Sequence, residues 1–538
     1  MACIWLWSLS FAGALSIALK LIHGLWWKSK MIERKLKAQG VNAVPHIPRA
    51  RRREAGKPGQ LFHDIAPLIW PSYPDNMTTY GRIFFNWHRK KMPALIILDT
   101  KMIQEVLAKP MEFGKPEVHW TMKYVLMGLA NLNGGQWLSH RKIINPAFHM
   151  EKLKQMMPAF VACCDDLIER WEKKIGQNES CELDALVEFV YLTEDIISRA
   201  AFGIDHDKSG MIFKLQRQQS TLFLRSFVTA SQPWSRFLPT RLKTQMKKIR
   251  AEVSSLIGAI VDERQEAIAS GKRDNEDLLT ALLNANLSEN QENGNHQVDG
   301  MTREAIIEEC KLFYFAGHET TANLLTWTLI LLGVHLDWQE RARDEVLRTF
   351  GNNQLPTFDQ LSSLKIVNMI LLEVLRLYPP SSIIRSTLKE ATVGNLTVPA
   401  GVFVEVPVFM IHRDAEVWGD DALEFNPDRF CHGVSKALKL KDQAGFFPFG
   451  WGPRMCIGQN FALTEAKLSL VLILQRFSVE LSPTYTHAPA VRLTLQPTLG
   501  APIVLRRRPG WAPPCSGGDR SIQSLTSSPA TESCASKG

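Results

Sequence analysis

A cysteine flanked by glycines and an arginine gives the segment Phe449–Gly458 the clearest chemical potential in this sequence. The segment reads Phe-Gly-Trp-Gly-Pro-Arg-Met-Cys-Ile-Gly, and the pattern after it predicts a helix over Phe461–Phe477. A cysteine just before a helix faces backbone N–H groups that lack helical partners, and Arg454 adds a nearby positive charge. Both effects are expected to lower the pKa of the Cys456 thiol, so the pattern predicts a nucleophile, a redox-active thiol or a metal ligand.

Two pairs of residues at helical spacing are candidates to work with this cysteine. Trp137 and Arg141 lie one turn apart, and they offer an indole N–H and a guanidinium that suits a carboxylate. Glu373 and Arg376 lie three residues apart on the predicted helix Leu361–Leu377, which a Pro-Pro pair ends. Each pair also has an ordinary explanation, namely a surface arginine beside a packed tryptophan and a solvated ion pair of little value.

A long predicted helix, Thr302–Leu336, is apolar on nearly all sides in its second half, which is typical of a central buried helix. Residues 316–321 in its middle read Ala-Gly-His-Glu-Thr-Thr, and glycine and threonine lower helix propensity there. A threonine hydroxyl can also bond to the carbonyl oxygen four residues back and bend the helix. A helix flaw tolerated by packing would explain the same residues, so their chemistry depends on what lies against them.

Taken together, these motifs resemble those of the cytochrome P450 family and occur in the family's order along the chain. The cysteine segment matches the family's haem-binding signature F-x-x-G-x-R-x-C-x-G at every fixed position. The resemblance implies that Cys456 is the axial thiolate ligand of a haem b iron, a role that promotes cleavage of the O–O bond. It also implies that Phe449, Arg454 and Gly458 belong to the haem-binding loop.

The resemblance assigns roles to two further sets of residues. The haem propionates would be bound by Trp137, Arg141 and Arg385. A buried structural ion network would be formed by Glu373, Arg376 and Arg429. Such a network is costly unless it is complete, so the loss of its carboxylate would strand two arginines.

In the central helix, the resemblance implies that Gly317 lets the helix widen over the haem. Thr320 would donate a hydrogen bond during oxygen activation, and Glu319 would relay protons from solvent. His318 is expected to line a pocket or groove and not to be a ligand. The presence of Thr320 favours a monooxygenase, because family members that rearrange peroxides need no external protons.

The resemblance therefore implies a haem-dependent monooxygenase that inserts one oxygen atom from O2 into a hydrophobic small molecule. The motifs around Arg141 and Glu309 look like those of the plant microsomal group that contains secologanin synthase, whose members oxidise terpenoids, hormones and fatty-acid-like molecules. Candidate substrate-pocket residues lie in the loop before Trp137, around Phe313 and at Ser381–Ile384. A haem-dependent isomerase or dehydratase and a non-catalytic haem-binding protein are the alternatives.

Composition narrows the class of protein further. The chain has 538 residues, of which 45% are hydrophobic and 22% charged, and its net charge is +9. Nine cysteines without a C-x-x-C pair are not a disulfide framework and favour a reducing compartment. Zinc-finger spacing and aromatic–basic RNA motifs are absent, which argues against nucleic acid as a partner. The sequence also has no dinucleotide-binding glycine motif, so electrons are expected from a separate NADPH–cytochrome reductase.

Four segments are expected along the chain. Residues 2–27 are mainly apolar, carry tryptophans near both ends and precede lysines and arginines, which predicts a transmembrane helix in membrane lipid and not a cleaved signal peptide. Residues 28–59 form a basic linker, residues 60–508 the haem-thiolate catalytic domain and residues 509–538 a disordered tail. This order predicts a single-pass protein of the endoplasmic reticulum membrane whose catalytic domain faces the cytosol.

The pattern as a whole predicts a mainly α-helical fold with a minor β part, which is the fold that the resemblance implies. Asp99 or Thr100 is expected to cap a helix through Ala108. The pattern also predicts a loop-like stretch at Gln60–Asn86, a strand at Ala94–Leu98, a helix at Cys181–Phe202 and an exposed loop at Asn286–Gly300.

Overall fold

The computed structural model describes residues 27–44, 61–88, 92–117, 121–125, 127–229, 240–271, 277–292, 300–352, 354–439 and 445–508. The predicted anchor at residues 2–27, apart from Trp27, and the predicted tail at residues 509–538 lie outside the described residues. Within the described ranges, no helix combines the length and the hydropathy needed to cross a membrane.

The described chain is mainly helical. Its α-helices, in chain order, are α1 Lys28–Lys37, α2 Ala66–Ile69, α3 Tyr73–Tyr80, α4 Thr100–Ala108, α5 Met122–Val125, α6 Gly134–Ile144, α7 Met150–Ile175, α8 Ala185–Ile196, α9 His206–Thr229, α10 Arg241–Ala269, α11 Leu278–Glu292, α12 Arg303–Leu332, α13 Leu336–Phe350, α14 Phe358–Ser363, α15 Ile366–Leu377, α16 Val408–Ile411, α17 Ala415–Trp418, α18 Val434–Ala437 and α19 Gln459–Arg476.

The strands are short. In chain order they are β1 Asn42–Ala43, β2 Ile83–His88, β3 Met92–Ile97, β4 Phe113–Gly114, β5 Ser180–Asp184, β6 Ile383–Thr387, β7 Ala391–Val393, β8 Leu396–Val398, β9 Phe403–Val406, β10 Phe477–Leu481, β11 Pro489–Val491, β12 Leu495–Pro497 and β13 Pro502–Arg507. One sheet has the order β1-β2-β3-β9-β6-β4, and another has the order β10-β13-β5. The pairs β7–β8 and β11–β12 are antiparallel hairpins. The predicted class, mainly α with a minor β part, is confirmed.

The helix α12 is the central element of the helical part and packs against α8, α10, α15 and α19. Thr302 begins it by accepting a hydrogen bond from the Ala305 N–H at 3.2 Å. The helix ends at Leu332, before the predicted end at Leu336. Gly333, the next residue, packs closely against β10: a Cβ there would lie only 2.7 Å from the Leu481 backbone nitrogen, and its carbonyl oxygen accepts a hydrogen bond from the Leu481 N–H at 3.0 Å.

Sequence patterns predict elements correctly where the groups that form the element lie close together in the chain. Asp99 caps α4 by accepting a hydrogen bond from the Met102 N–H at 2.9 Å, so the helix Thr100–Ala108 is confirmed. The strand predicted at Ala94–Leu98 is confirmed as β3.

The prediction of one helix over Cys181–Phe202 is wrong at its start. Ser180–Asp184 forms the strand β5, in which Cys181 lies opposite Leu505 of β13. Asp184 then caps α8 by accepting a hydrogen bond from the Leu186 N–H at 3.0 Å. The strand forms because its partner, which is distant in sequence, satisfies the backbone groups that a first helical turn would leave free.

Two segments predicted as loops contain regular structure. Asn286 is buried inside α11, and its side chain accepts a hydrogen bond from the Met301 N–H at 2.7 Å and donates one to the Met301 carbonyl at 3.1 Å. The stretch Gln60–Asn86 contains α2, α3 and most of β2. Its prolines include residues in the first turns of α2 and α3, where proline begins a helix instead of breaking one.

Candidate active site

Backbone hydrogen bonds fold the cysteine segment into a tight loop before α19. The Cys456 N–H donates to the Phe449 carbonyl at 2.8 Å, across the short 3₁₀ helix Gly452–Arg454. Gly452 has a φ of +72°, and a Cβ at its position would lie 2.7 Å from the Leu107 carbonyl oxygen in α4. Only glycine fits there, so the close approach to α4 helps to hold Cys456 in front of the first turn of α19.

The Cys456 thiol is accessible to solvent and yet lies deep among protein atoms, as a side chain does when it lines an interior space. Burial raises the pKa of this thiol, whereas a hydrogen bond from the Gly458 N–H and the charge of Arg141 lower it. The expectation of a lowered thiol pKa is wrong for the protein alone, because burial outweighs both contacts. A positive charge at the sulfur, such as that of a bound metal ion, would favour the thiolate.

The helix α6 brings two of the three predicted propionate-binding residues, Trp137 and Arg141, to the cysteine loop. Trp137 is buried, and the Arg454 guanidinium carbon lies 4.2 Å from the centre of its ring, a cation–π contact. Arg141 donates a hydrogen bond to the Met455 carbonyl at 3.0 Å. It is Arg141, and not Arg454 as expected, whose charge acts on the thiol, since the Arg454 guanidinium is turned toward the indole.

Three basic side chains, Lys115, Arg385 and Arg454, form what we call the cation cluster. Arg385 lies on β6 and is 3% exposed, and burial together with the charge of Arg454 lowers its pKa to about 10. Burial lowers the pKa of Arg454 to about 10 as well. Burial and the charges of both arginines lower the pKa of Lys115 to about 7. The two arginines therefore disfavour the charge of Lys115, and Arg454 also disfavours the charge of Arg385.

The cation cluster fits the carboxylates of a haem. Among the described residues, no carboxylate contributes to these three pKa shifts, and the Arg454 Nε is buried without a hydrogen-bond partner. Buried cations are unfavourable unless an anion joins them, and the two propionates of haem b would provide that anion. Cys456, two residues beyond Arg454, offers the soft sulfur ligand that iron binds. The residues present therefore fit haem b, and Cys456 is the side chain that would bind its iron.

Asn133, immediately before α6, holds two members of the cation cluster. Its Oδ1 accepts hydrogen bonds from the Lys115 N–H at 2.7 Å and from the Arg454 guanidinium at 3.1 Å, and its Nδ2 donates to the Lys115 carbonyl at 2.8 Å. The sequence analysis identified neither Lys115 nor Asn133. The one available signal, an Asn-Gly-Gly turn, indicates a helix start but no partner.

The carboxylate of Glu373 lies between two arginines, all three in the interior. Arg376 donates to both of its oxygens at 2.7 Å, and both side chains are fully buried. Arg429 donates to Glu373 Oε1 at 3.2 Å and to Asp421 at 2.8 Å. Arg376 also donates to the carbonyl oxygens of His412, Ala422 and Glu424. The network thus joins α15 to the segment that leads toward the cysteine loop.

The middle of α12 contains the expected threonine contact but not the expected widening of the helix. Thr320 Oγ1 donates to the Ala316 carbonyl at 2.9 Å, the contact expected of a threonine in a helix. The helix is nevertheless continuous from Arg303 to Leu332 and does not widen at Gly317. Glycine is needed there for packing, because a Cβ would lie 2.6 Å from Ile197 Cδ1, in the π-helical turn Ile197–Ala201 after α8.

Glu319 and His318 lie on the side of α12 that borders a cavity of about 260 Å³. Burial raises the pKa of Glu319, and hydrogen bonds from Thr494 offset part of that effect. His318 is buried, donates from Nδ1 to the Tyr314 carbonyl at 2.5 Å, and has a pKa lowered to about 4 by burial. It is a neutral residue of the cavity wall near neutral pH.

Two of the predicted pocket segments carry large apolar side chains, Phe313 on α12 and Ile384 on β6. Phe313 on α12 packs edge-on against Phe148, with ring centres 5.6 Å apart. Ile384 is 39% exposed and directly precedes Arg385 on β6. Successive side chains of a strand point to opposite faces, so the exposed Ile384 side chain points away from the face that holds Arg385.

Comparison with known proteins agrees with the geometry. A family model described as Cytochrome P450 matches residues 67–501. Cytochrome P450 CYP72A616 of Paris polyphylla is 47% identical over 499 residues, which cover 90% of this chain and 95% of that protein. Cytochrome P450 CYP72A219 of Panax ginseng is 45% identical over 497 residues, with the same coverage of both chains. The 11-oxo-beta-amyrin 30-oxidase of Glycyrrhiza uralensis is 44% identical over 500 residues, again covering 90% of this chain and 95% of that protein. The chain therefore belongs to the cytochrome P450 family and is a cytochrome P450 monooxygenase, as the cysteine segment predicts.

Proposed function

We propose that this chain inserts one oxygen atom from dioxygen into a C–H bond of a hydrophobic terpenoid. The second oxygen atom leaves as water, which requires two electrons and two protons, and the electrons come from an NADPH–cytochrome reductase. The relatives support the substrate class, because one of them is named as an oxidase of 11-oxo-beta-amyrin, a triterpenoid. The absence of a dinucleotide-binding motif in the sequence supports an external source of electrons.

The haem site is the first requirement of this proposal. Cys456 would bind the iron, and the propionates would be held by Trp137, Arg141, Lys115, Arg385 and Arg454. When bound, the haem supplies the redox chemistry that activates dioxygen. The network of Glu373, Arg376 and Arg429 stabilises the segment that leads to the cysteine loop and does not touch substrate.

The observation that carries the oxygenase assignment is a largely buried carboxyl group, that of Glu319, one residue before Thr320 on the central helix. Because burial raises the pKa of Glu319, this group can give up and regain a proton closer to neutral pH than an exposed carboxylate does. Thr320 offers a hydroxyl that can pass a proton or a hydrogen bond onward. A haem-dependent isomerase or dehydratase, or a non-catalytic haem-binding protein, has no need of such a pair.

We further propose that residues 2–27 anchor the protein in the endoplasmic reticulum membrane, with the catalytic domain in the cytosol beside the reductase. The support is the apolar N-terminal stretch and the basic residues that follow it. Protease treatment of sealed microsomes should digest the catalytic domain, and protection of that domain would contradict this orientation.

The first experiment is a reduced carbon-monoxide difference spectrum of the wild type and of Cys456→Ser, followed by incubation with reductase, NADPH and 11-oxo-beta-amyrin. We expect a strongly red-shifted Soret band that the variant lacks, and a hydroxylated product that forms only with NADPH. Product formation without NADPH would favour the isomerase or dehydratase. A well-folded wild type without the band would contradict haem-thiolate binding.

A further inference from the structure

The hairpin β11–β12 places Thr494 against the carboxyl group of Glu319. Thr494 Oγ1 donates to Glu319 Oε1 at 2.6 Å. Asn323 Nδ2 donates to Thr494 Oγ1 at 2.9 Å and to the Glu319 backbone carbonyl at 2.9 Å. Thr494 is 7% and Asn323 3% exposed, so water cannot readily replace either contact.

The direction of these hydrogen bonds follows from the chemistry of the groups. The Glu319 carbonyl oxygen can only accept, so the group of Asn323 that faces it must be the amide nitrogen. The same nitrogen can only donate to Thr494, and the hydroxyl has a single proton. That proton is therefore left for the Glu319 carboxyl group, which also accepts a hydrogen bond from the Thr494 backbone N–H on the side of the hairpin.

Glu319 and Asn323 also border the cavity of about 260 Å³, which lies between α8, α9, α12 and the hairpin. Polar side chains from α9 and the hairpin, among them Gln216, Arg217 and Arg492, contribute to its wall. The Gln216 Oε1 is buried without a hydrogen-bond partner among the described residues, as expected beside a site for an ordered water. Phe315, Glu319 and Asn323 share the face of α12 that borders this cavity, whereas Ala316 and Thr320 are rotated from that face.

We propose that Thr494 is a positioning residue for proton delivery, holding the Glu319 carboxyl group between this cavity and Thr320. Protons then enter from the side of α8 and α9 and reach Glu319 before Thr320. The inference rests on the proposed monooxygenase function. Thr494 touches neither substrate nor cofactor in this role and acts only through Glu319.

The test compares Thr494→Val, which removes the hydroxyl at nearly constant volume, with Thr494→Ser, which keeps it. Thr498→Val is the matched control, because its hydroxyl belongs to the same region of the chain and donates to the Ala488 carbonyl, away from Glu319. With reductase and 11-oxo-beta-amyrin, we expect Thr494→Val to slow NADPH oxidation roughly tenfold and to increase its solvent deuterium isotope effect. Thr494→Ser and Thr498→Val should match the wild type, and all variants should keep the reduced carbon-monoxide spectrum and substrate affinity.

Infrared spectroscopy gives a readout that does not depend on turnover. The carbonyl stretching band of the protonated Glu319 carboxyl group, identified by its loss in Glu319→Gln, should move to higher frequency in Thr494→Val because one hydrogen bond is lost. An unchanged band together with an unchanged isotope effect would overturn the inference. A wild type that oxidises no NADPH would instead contradict the proposed function, while the infrared band still decides whether Thr494 positions Glu319.

Discussion

Nδ1 of His140 lies 2.6 Å from Oε1 of Glu309, and this contact joins α6 to α12. The Glu309 side chain is fully buried, and its second oxygen accepts a hydrogen bond from the Leu129 N–H at 2.9 Å. Gly128 has a φ of +87°, and a Cβ there would lie 2.8 Å from that second oxygen. Since α6 carries two of the three predicted propionate-binding residues, Glu309 helps to set where Trp137 and Arg141 lie relative to the central helix.

Replacement of Glu309 by Ala should lower the free energy of unfolding by about 2–4 kcal/mol, because two buried donors lose their acceptor. Glu309→Gln should lower it less, since an amide oxygen can still accept from the Leu129 N–H. Chemical denaturation followed by circular dichroism measures both. Equal stability of Glu309→Ala and the wild type would contradict the role of this contact.

Glu373→Ala should destabilise the fold by about 3–5 kcal/mol and prevent stable haem uptake, because it strands the buried charges of Arg376 and Arg429. The matched control is Glu480→Ala, which breaks a surface ion pair with Arg506 at 3.1 Å. That variant should change stability by less than about 1 kcal/mol. Thermal unfolding and the carbon-monoxide spectrum of both variants measure the difference, and similar losses would refute a special role for Glu373.

Lys115→Met should weaken haem binding, because it removes one member of the cation cluster, which would hold the propionates together with Arg141. The control is Lys389→Met, whose side chain is 67% exposed and pairs with Glu112. Titration of the haem-free proteins with haemin should show weaker binding only for the first variant. Equal affinities would remove Lys115 from the haem site.

Lys115 also makes the free energy of unfolding of the haem-free protein depend on pH. Its pKa is about 7 in the fold against the ordinary 10.5, so between these pH values the unfolded chain binds a proton that the folded chain does not. Stability of the haem-free protein should therefore rise as the pH increases from about 7 toward 10, and the penalty is fully present below about 7. Lys115→Met should flatten this rise in denaturation curves recorded across the range.

Gly317→Ala should destabilise the protein by about 1–3 kcal/mol, because its Cβ would collide with Ile197. This loss exceeds the gain of about 1 kcal/mol that alanine brings to a helix interior. Gly135→Ala on α6 meets no atom within 4 Å and should be neutral or stabilising. A second change, Ile197→Ala, should recover part of the loss in the Gly317→Ala background, and additive losses would exclude the collision.

Motifs whose members lie close in sequence were predictable. The cysteine segment, the Glu373–Arg376 spacing and the cap of α4 each depend on groups within one turn or one loop. The sequence analysis erred where burial decides the outcome, as at Cys456, whose thiol pKa is raised although a helix start and a cation lower it. Helical or strand periodicity cannot measure the desolvation of a side chain.

Contacts between distant segments were not predictable from periodicity. Thr494 and Glu319 are 175 positions apart, and His140 and Glu309 are 169 apart. Lys115 belongs to no motif, and its role becomes visible only when β6 and the cysteine loop place two arginines beside it. The pairing of β5 with β13 was likewise not predictable, because the sequence pattern of β5 does not indicate which strand it pairs with.

The cation cluster has a consequence for the timing of protein synthesis. Its members are residues 115, 385 and 454, and the iron ligand is residue 456, so the translating ribosome supplies the binding groups at widely separated times. A nascent chain that ends at Leu332 contains both α6 and α12 but holds only one cation of the three. Capture of the prosthetic group therefore cannot precede translation of the cysteine loop. A ribosome-bound nascent chain stalled before residue 454 should not retain haem, whereas one stalled well beyond α19 should.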